Sequence, residues 1–186
     1  MRNRRHTAGL TLLELMITVA IIGILASTAI TLFQQQQLRS KRAEAMTNVE
    51  ALAKHAKTYF GETGVYPGVD LFWPAPAPGP RVQWDAASTA AFGQLGFQVD
   101  GGVYYRYDVE GAAPLGAECA ADEFSVAAVA DLDGDTLAGA VGYYHPGAAG
   151  VPCPYVIGGL PALFPPIVAG NWVFDQSVVI AMADNY

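Results

Sequence analysis

The feature that most constrains this chain is an apolar segment near its N-terminus. It runs for 24 residues, from Leu10 to Phe33, and contains a single charged residue, Glu14. A helix of about 20 apolar residues crosses the hydrocarbon core of a bilayer, and a helix satisfies its own backbone polar groups there. The segment is therefore predicted to be a membrane-spanning helix.

The charges around this segment are distributed unevenly. Three arginines precede it, and such residues predict that the N-terminus stays in the cytoplasm while the rest of the chain is exported. Beyond Phe60 the sequence has fourteen acidic residues and only two basic ones, Arg81 and Arg106. A portion this acidic repels phosphate backbones, so no general binding to nucleic acid is expected.

The N-terminus has three interpretations. A secretory signal peptide has an apolar core of about 7–15 residues, which is shorter than this one and contains no acid. A simple signal anchor fits the length but does not explain Glu14. The third interpretation uses the run Gly9-Leu10-Thr11-Leu12-Leu13-Glu14. It resembles the type IV prepilin leader, in which a short basic leader ends in glycine and a glutamate is the fifth residue of the mature chain.

This resemblance covers roughly residues 2–60 and implies how the chain is processed. A membrane aspartyl peptidase would cut after Gly9 and methylate the new amino group of Leu10. Glu14 of an incoming subunit would then pair with the terminal amine of its neighbour and set the axial register. Physical chemistry agrees, because a carboxylate at bilayer depth is costly and is usually paired. The alternative is a carboxylate that is protonated or that reaches the membrane interface.

The resemblance also implies a fold. Residues 34–60 contain no glycine or proline, and their apolar positions fall on one helical face, so the helix should continue to near Gly61. Thr31 stands where many family members have proline, which predicts a straighter helix. The expected class is α+β, a type IV pilin fold with a helix over about 10–60 packed on an antiparallel sheet. The segments are a leader (1–9), a membrane and assembly helix (10–33), its amphipathic continuation (34–60) and a globular head (61–186).

The head is predicted from its local patterns. Residues 61–80 are rich in proline and glycine and should form a connection without a regular ladder. A short helix is expected around 86–95, capped by Asp85 or Ser88. Residues 103–109 have the composition of a strand. Residues 124–130 and 137–144 should form an antiparallel hairpin.

The sequence patterns that predict secondary structure are weaker at the C-terminal end of the head. Residues 160–172 are rich in proline and glycine and are predicted to be a second loop. Residues 172–174 and 178–180 should add a strand or hairpin at the edge of the sheet.

Three aspartates lie in the turn of the predicted hairpin. Asp131, Asp133 and Asp135 alternate around a glycine, as in the first half of a calcium-binding EF-hand loop. The position that would carry the bidentate glutamate is Gly142. The alternative is a plain solvated turn, since Asp-Gly is itself a strong turn signal. We expect no cofactor, with calcium at this turn as the alternative.

The two cysteines, Cys119 and Cys153, fit an exported protein in which one disulfide forms, although two free thiols are the alternative. In the type IV pilin family a disulfide often encloses the distal edge of the head. The resemblance therefore implies a Cys119–Cys153 bridge.

The expected function is structural rather than enzymatic. The sequence has no nucleophile elbow or phosphate loop, and His6, His55 and His145 are isolated along the chain. The resemblance implies a pilin that starts in the bacterial inner membrane and polymerises with other pilin subunits into an extracellular type IV pilus. Its processing partner would be the prepilin peptidase and N-methyltransferase. A minor pilin or a type II secretion pseudopilin is the nearest alternative, and a membrane-tethered binding domain is a third.

Overall fold

The computed structural model describes residues 11–74, 81–112, 119–132, 134, 138–154 and 163–181. The backbone contacts divide the chain into two units, Met1–Arg39 and Ser40–Tyr186. In chain order the elements are α1 (Leu12–Thr63), β1 (Val69–Trp73), β2 (Val82–Gln83), α2 (Ala86–Ala91), a 3-10 turn (Gly93–Leu95), β3 (Gly102–Val103), β4 (Arg106–Glu110), β5 (Phe124–Ala130), β6 (Gly139–His145), β7 (Ile167–Val168), β8 (Asn171–Trp172) and β9 (Ser177–Ala181).

The sheet of the second unit has the order β1-β4-β5-β6-β9, and every neighbouring pair is antiparallel. Together with the long helix α1, it confirms the predicted α+β class. Its central pair is the predicted hairpin, with Phe124 opposite His145 and Ala130 opposite Gly139.

The part of α1 that belongs to the second unit lays one face on this sheet. Its buried residues are Ala45, Val49, Leu52, Ala53 and Ala56. Ala45, Val49, Leu52 and Ala56 follow one another at steps of three and four residues and form a single stripe, which Ala53 widens, as the sequence predicts. Three of the five are alanines.

A buried polar contact fixes the helix on the sheet. Asn48 on α1 donates its side-chain N–H to the hydroxyl of Tyr107 on β4, at 2.8 Å. Tyr107 is fully buried, and this burial raises the pKa of its hydroxyl far above the usual range. The hydroxyl therefore remains neutral, and Glu44 on α1 is its second hydrogen-bond partner.

The opposite face of the sheet is also covered. Its buried cluster comprises Ala127, Val129, Ala140 and Tyr144, with partly buried apolar residues packed on it. Two of those residues, Leu163 and Phe174, lie outside the sheet strands, and the Tyr144 hydroxyl donates to the Leu163 carbonyl at 3.2 Å. The segment that follows residue 162 thus provides the sheet with a second apolar layer.

The predicted connection over residues 61–80 is wrong in one part. Helix α1 continues through Gly61 to Thr63, and β1 then pairs with β4 at the edge of the sheet. Pro67 and Pro74 lie on either side of β1 instead of within it. Proline is compatible with an edge strand, and the register shift along this pair shows how irregular the strand is.

The predicted strand over residues 103–109 is two strands. β3 pairs with β2 in a separate ribbon, whereas β4 belongs to the main sheet. Between them the Tyr104 N–H donates to the Glu44 carboxylate on α1, at 3.0 Å, and not to a neighbouring strand. This side-chain acceptor lets the chain change sheets without leaving a backbone donor unpaired.

The loop predicted over residues 160–172 contains the hairpin β7–β8, whose turn has positive φ at Ala169 and Gly170. Two positive φ angles are the signature of a tight two-residue hairpin turn. The expected edge strand is present as β9. The short helix α2 is also confirmed, with Asp85 as its cap, since the Ser88 N–H donates to Asp85 Oδ1 at 2.7 Å.

We expect Asn48→Ala to lower the free energy of unfolding by about 0.5–1.5 kcal/mol, because the buried Tyr107 hydroxyl loses one of its two side-chain hydrogen bonds and keeps the one to Glu44. Adding Tyr107→Phe to that variant should cost a further ~1 kcal/mol, since it removes the remaining hydrogen bond between that hydroxyl and Glu44. Guanidinium unfolding of the full chain in detergent, followed by near-UV circular dichroism, measures both effects. Thr47→Ala, an exposed neighbour on the same helix, is the control. Equal losses for Asn48→Ala and Thr47→Ala would contradict the assignment.

Candidate assembly site

The start of α1 forms a reciprocal cap. The Glu14 backbone N–H donates to the Thr11 hydroxyl at 3.2 Å. The Thr11 N–H and hydroxyl lie 3.4 and 3.5 Å from Glu14 Oε2. A Thr-x-x-Glu sequence at a helix start is a capping box, in which each residue satisfies a backbone donor of the other. Glu14 therefore has an intramolecular role in the isolated chain.

The surface of the helix beyond this cap is apolar. From Leu12 to Phe33, its large apolar residues are between 53% and 77% exposed. By length and composition alone, α1 is a helix that could cross a membrane. Soluble proteins seldom leave an apolar surface this continuous in water, so it requires a lipid or protein environment.

The hydroxyl groups in the apolar part of α1 are satisfied within the helix. Thr18 donates to the Leu15 carbonyl and Ser27 to the Ile24 carbonyl, both at 2.8 Å. Thr28 bonds the Leu25 carbonyl at 3.0 Å in the same way. Such bonds remove the need for water, which makes these side chains compatible with a hydrocarbon environment.

Of the residues expected to act in processing and assembly, the structure describes the assembly residue Glu14. Glu14 lies in the first turn of α1. Gly9 and Leu10 lie outside the described residues, so their roles remain predictions. The sequence analysis missed Thr11, although the Thr-x-x-Glu spacing is a recognisable capping signal.

A polar cluster on the second unit joins three parts of the fold. Asp175 Oδ1 accepts hydrogen bonds from Lys57 Nζ at 2.8 Å and from the Tyr143 hydroxyl at 3.0 Å. The same oxygen lies 2.7 Å from His145 Nδ1. Lys57 Nζ also donates to the Tyr143 hydroxyl at 2.8 Å. The cluster thereby ties α1 to β6 and to the turn before β9.

Opposing effects act on the charges of this cluster. Burial disfavours the ionised carboxylate of Asp175, but the hydrogen bonds from Lys57, His145 and Tyr143 outweigh it and lower the pKa of Asp175. Burial likewise opposes the charge of Lys57, whereas its bonds to Asp175 and Tyr143 raise the pKa of Lys57. Both groups are therefore held in their charged forms near neutral pH.

The description of the histidines as isolated is wrong for two of them. His145 is in contact with Asp175, and its ring lies 5.3 Å from that of Phe124. His55 Nδ1 lies 2.9 Å from the Leu95 carbonyl oxygen, and its ring meets Phe97 edge-on. Both histidines support packing, and sequence spacing alone does not reveal such long-range contacts.

The acidic turn after β5 is described only in part. Asp131 Oδ1 accepts the Gly134 N–H at 2.7 Å, which is a side-chain turn closure. Asp133 and Asp135 lie outside the described residues. Within the described part of the chain, no group of three or more His, Cys, Asp or Glu residues could hold a metal ion. Calcium at this turn therefore remains an untested alternative.

A disulfide joins Cys119 to Cys153, whose Cα atoms are 5.2 Å apart and whose sequence separation is 34. It links the segment before β5 to the segment after β6, so the bond encloses the central hairpin. Closing a loop of this length stabilises a fold by about 3–4 kcal/mol on the loop-entropy model.

The Asp175 cluster predicts a pH-dependent contribution to stability. Because its folded pKa lies below the ordinary value of 3.8, Asp175 stabilises the fold above about pH 4, and this contribution disappears as the pH falls through the lowered pKa. Asp175→Asn should cost about 0.5–1 kcal/mol near neutral pH, a small value because Lys57 and Asp175 are partly exposed.

Unfolding midpoints of the full chain in detergent, measured near neutral pH and at about pH 3, check this expectation. The difference between wild type and Asp175→Asn should shrink at the lower pH. Asp100→Asn, an exposed aspartate outside the cluster, is the control. A difference that stays constant or grows on acidification would refute the role of the carboxylate charge.

The N-terminal region of the chain is similar to known proteins. Residues 4–30 match the family model described as the prokaryotic N-terminal methylation motif. The type IV major pilin protein PilA of Myxococcus xanthus is 54% identical over 65 residues, which cover 35% of this chain and 28% of that protein. The type IV major pilin protein PilE of Neisseria gonorrhoeae is 37% identical over 59 residues, covering 32% of this chain and 35% of PilE.

A relative from a secretion system is similar too. The type II secretion system core protein G of Vibrio cholerae is 34% identical over 70 residues, which cover 38% of this chain and 48% of that protein. The chain thus spans less than half the length of each of these relatives. No solved structure matches it. The methylation motif over residues 4–30, together with the pilin and secretion-protein relatives, confirms that this chain resembles the type IV pilin family.

Proposed function

We propose that the chain is a structural subunit that polymerises through its N-terminal helix into a type IV pilus. A prepilin peptidase removes residues 1–9 by cutting between Gly9 and Leu10 and methylates the new amine. Residues 10–33 hold the precursor in the inner membrane and later line the filament interior, residues 34–60 carry the head, and residues 61–186 form the exposed surface. The similarity to two pilins and a secretion-system core protein supports this assignment.

The observation that carries the proposal is one carboxylate in the first turn of a helix whose residues from Leu12 to Phe33 carry no other charge and expose large apolar side chains. The apolar side chains can be buried in lipid or among identical helices. Glu14 cannot be buried in either environment without a partner, except at high cost. Cleavage after Gly9 creates a cationic amine one helical turn from Glu14, and the amine of a neighbouring subunit supplies the partner.

The cap at the helix start is compatible with this exchange. The Glu14 carboxylate makes contacts of 3.4 and 3.5 Å with Thr11, which are at the long limit for a hydrogen bond. A charge-assisted bond to an ammonium is shorter and roughly twice as strong. The carboxylate can therefore leave Thr11 for a neighbour's amine with a net gain, while the Thr11 hydroxyl still accepts the Glu14 N–H.

The remaining assignments follow from this role. The precursor belongs in the bacterial inner membrane and the assembled subunit on the cell surface. Its partners are other pilin subunits and the prepilin peptidase, and it acts without enzymatic activity, cofactor or general nucleic-acid binding. Calcium at Asp131, Asp133 and Asp135 is the alternative for the cofactor, and a membrane-tethered binding domain is the alternative for the whole chain.

A minor pilin or a type II pseudopilin is a second candidate function. It is favoured by the similarity to the core protein G of a type II secretion system. Thr31 also favours it, because its hydroxyl lies 3.4 Å from the Ser27 carbonyl within an uninterrupted helix, where a proline would have introduced a kink. Abundance of the chain in sheared surface filaments separates a major subunit from a minor one.

Glu14→Ala is expected to leave cleavage and membrane insertion intact and to reduce filament yield at least tenfold, since the loss of one buried charge pair costs several kcal/mol. Immunoblots of sheared filaments and of membrane fractions measure the two quantities. Glu62→Ala, an exposed acid near the other end of the same helix, is the matched control. Normal filament yield for Glu14→Ala would refute the proposed pairing.

A further inference from the structure

The exposed apolar side chains of the head are concentrated in one stretch of its sequence. Among the described residues after α1, the large apolar side chains that lie exposed are Val151, Phe164, Ile167, Val168 and Trp172. The last four belong to β7, to β8 or to the segment just before them. Single exposed apolar residues are ordinary, whereas a contiguous group of them marks an interaction surface.

Three of these side chains share one side of the hairpin β7–β8. Ile167 lies directly opposite Trp172 in the antiparallel register, and residues in that relation point to the same face. The Phe164 ring lies 6.0 Å from the Trp172 ring, at an interplanar angle of 31°. Val168 pairs with Asn171, so both belong to the other face. We call Phe164, Ile167 and Trp172 the apolar patch.

The hairpin that carries the apolar patch is attached to the core at both ends. Leu163 precedes it and Phe174 follows it, and both pack on the buried cluster of the sheet. Next to Phe174, the Val173 N–H donates to the Pro166 carbonyl at 3.0 Å and continues the pairing of the two strands. The patch is therefore preorganised, and a partner that binds it has little ordering entropy to offset.

The apolar patch lies in a stretch of the head that has no charged residue. From Thr136 to Phe174 the sequence contains no lysine, arginine, aspartate or glutamate. Asp175, which follows this stretch, is paired with Lys57. The sequence beyond Phe60 as a whole has fourteen acidic residues against two basic ones, a net charge of −12. Two heads therefore repel each other in general, and this stretch adds nothing to that repulsion.

This lack of charge discriminates among the partners that an apolar surface could bind. A basic protein partner is steered and oriented by acidic groups around the contact, and the stretch from Thr136 to Phe174 has none. Surfaces that bind membranes combine apolar residues with lysine and arginine, which are equally absent from it. A second copy of the same acidic head needs a contact without charge. The observations therefore favour a second copy as the occupant.

The size of the apolar patch indicates how strong such a contact is. Phe164, Ile167 and Trp172 are 47%, 58% and 38% exposed. At about 200 Å² for a side chain of this size, they expose on the order of 300 Å² together. Two patches in contact bury about twice that area, which is below the roughly 1,200 Å² of a stable complex. One contact is therefore weak, and only an array of many copies makes it effective.

We propose that the apolar patch is a self-association surface, in which the hairpin β7–β8 of one head packs against the same hairpin of a second copy. The contact is isologous, because each copy uses the same residues. It differs in this respect from stacking through α1, in which one subunit offers Glu14 and the next offers its terminal amine. In the assembled state the contact joins one filament laterally to another, and this role rests on the proposed function.

The test displays many copies of the uncut full-length chain on phosphatidylcholine vesicles and follows vesicle clustering by dynamic light scattering. Wild-type vesicles should cluster. Clustering should increase when the salt concentration is raised from about 0.01 M to about 1 M, because salt screens the repulsion between acidic heads and leaves an apolar contact intact. Clustering that weakens over this range would indicate a contact between opposite charges and would overturn the proposal.

Variants of one residue locate the contact. Ile167→Asp should lower clustering at least tenfold, since each symmetric contact would then bury two carboxylates without partners. Ile167→Ser, which removes apolar surface without adding charge, should lower it severalfold. Ala87→Asp is the matched control, because it adds the same charge at an exposed position in α2. Near-UV circular dichroism verifies that each head is folded. Unchanged clustering in both Ile167 variants, or an equal loss in Ala87→Asp, would contradict the proposal.

Two mixing experiments with vesicles of two colours identify the occupant. Wild-type vesicles should not cluster with Ile167→Asp vesicles, because an isologous contact needs an intact patch on both partners. Mixed clusters as abundant as those of the wild type alone would show that the patch binds a different surface. Attachment of wild-type vesicles to protein-free vesicles would show that lipid is the occupant, and the proposal would fail. The assay requires neither cleavage nor polymerisation, so a failure of the proposed function leaves its outcome unaffected.

Discussion

One physical constraint governs this molecule: the peptide groups of a 24-residue apolar segment need hydrogen-bond partners in an environment that excludes water. A helix supplies those partners internally, and the hydroxyls of Thr18, Ser27 and Thr28 bond back to the same helix. Glu14 differs from these hydroxyl residues, because its side chain carries a charge that no cation of the same helix segment neutralises. Its position in the first turn places a carboxylate beside unpaired backbone N–H groups, where negative charge is favoured, and keeps it available to an incoming amine.

The same helix also organises the head. Its buried stripe faces the sheet, and polar contacts fix the position of α1 on particular strands. Asn48 bonds α1 to β4 through the Tyr107 hydroxyl. Lys57 bonds α1 to β6 through Tyr143, and to the turn before β9 through Asp175. Apolar burial supplies most of the stability, and these directional bonds specify which of several similar packings is adopted. The disulfide encloses the hairpin β5–β6 independently of the helix.

The sequence predicts well what depends on local periodicity. The extent of α1, its buried stripe and the hairpin β5–β6 follow from spacing alone. The edge strand β1, the break at Tyr104 and the second apolar layer formed by Leu163 and Phe174 depend on distant partners, so local composition misses them. At the candidate site, the motif identifies Glu14, whereas its bond to Thr11 was not predicted, although the Thr-x-x-Glu spacing signals it. The roles of Gly9 and Leu10 remain predictions.

The central claim is that the chain is a precursor whose apolar helix becomes an assembly helix after cleavage. The most direct measurement is the intact mass and N-terminal sequence of the protein from cells with and without a prepilin peptidase. With the peptidase, the protein should lack its first nine residues and begin with an N-methylated Leu10. Without it, the full-length chain should accumulate in the membrane. A chain that keeps its first nine residues in the presence of the peptidase would contradict the claim and favour a membrane-tethered domain.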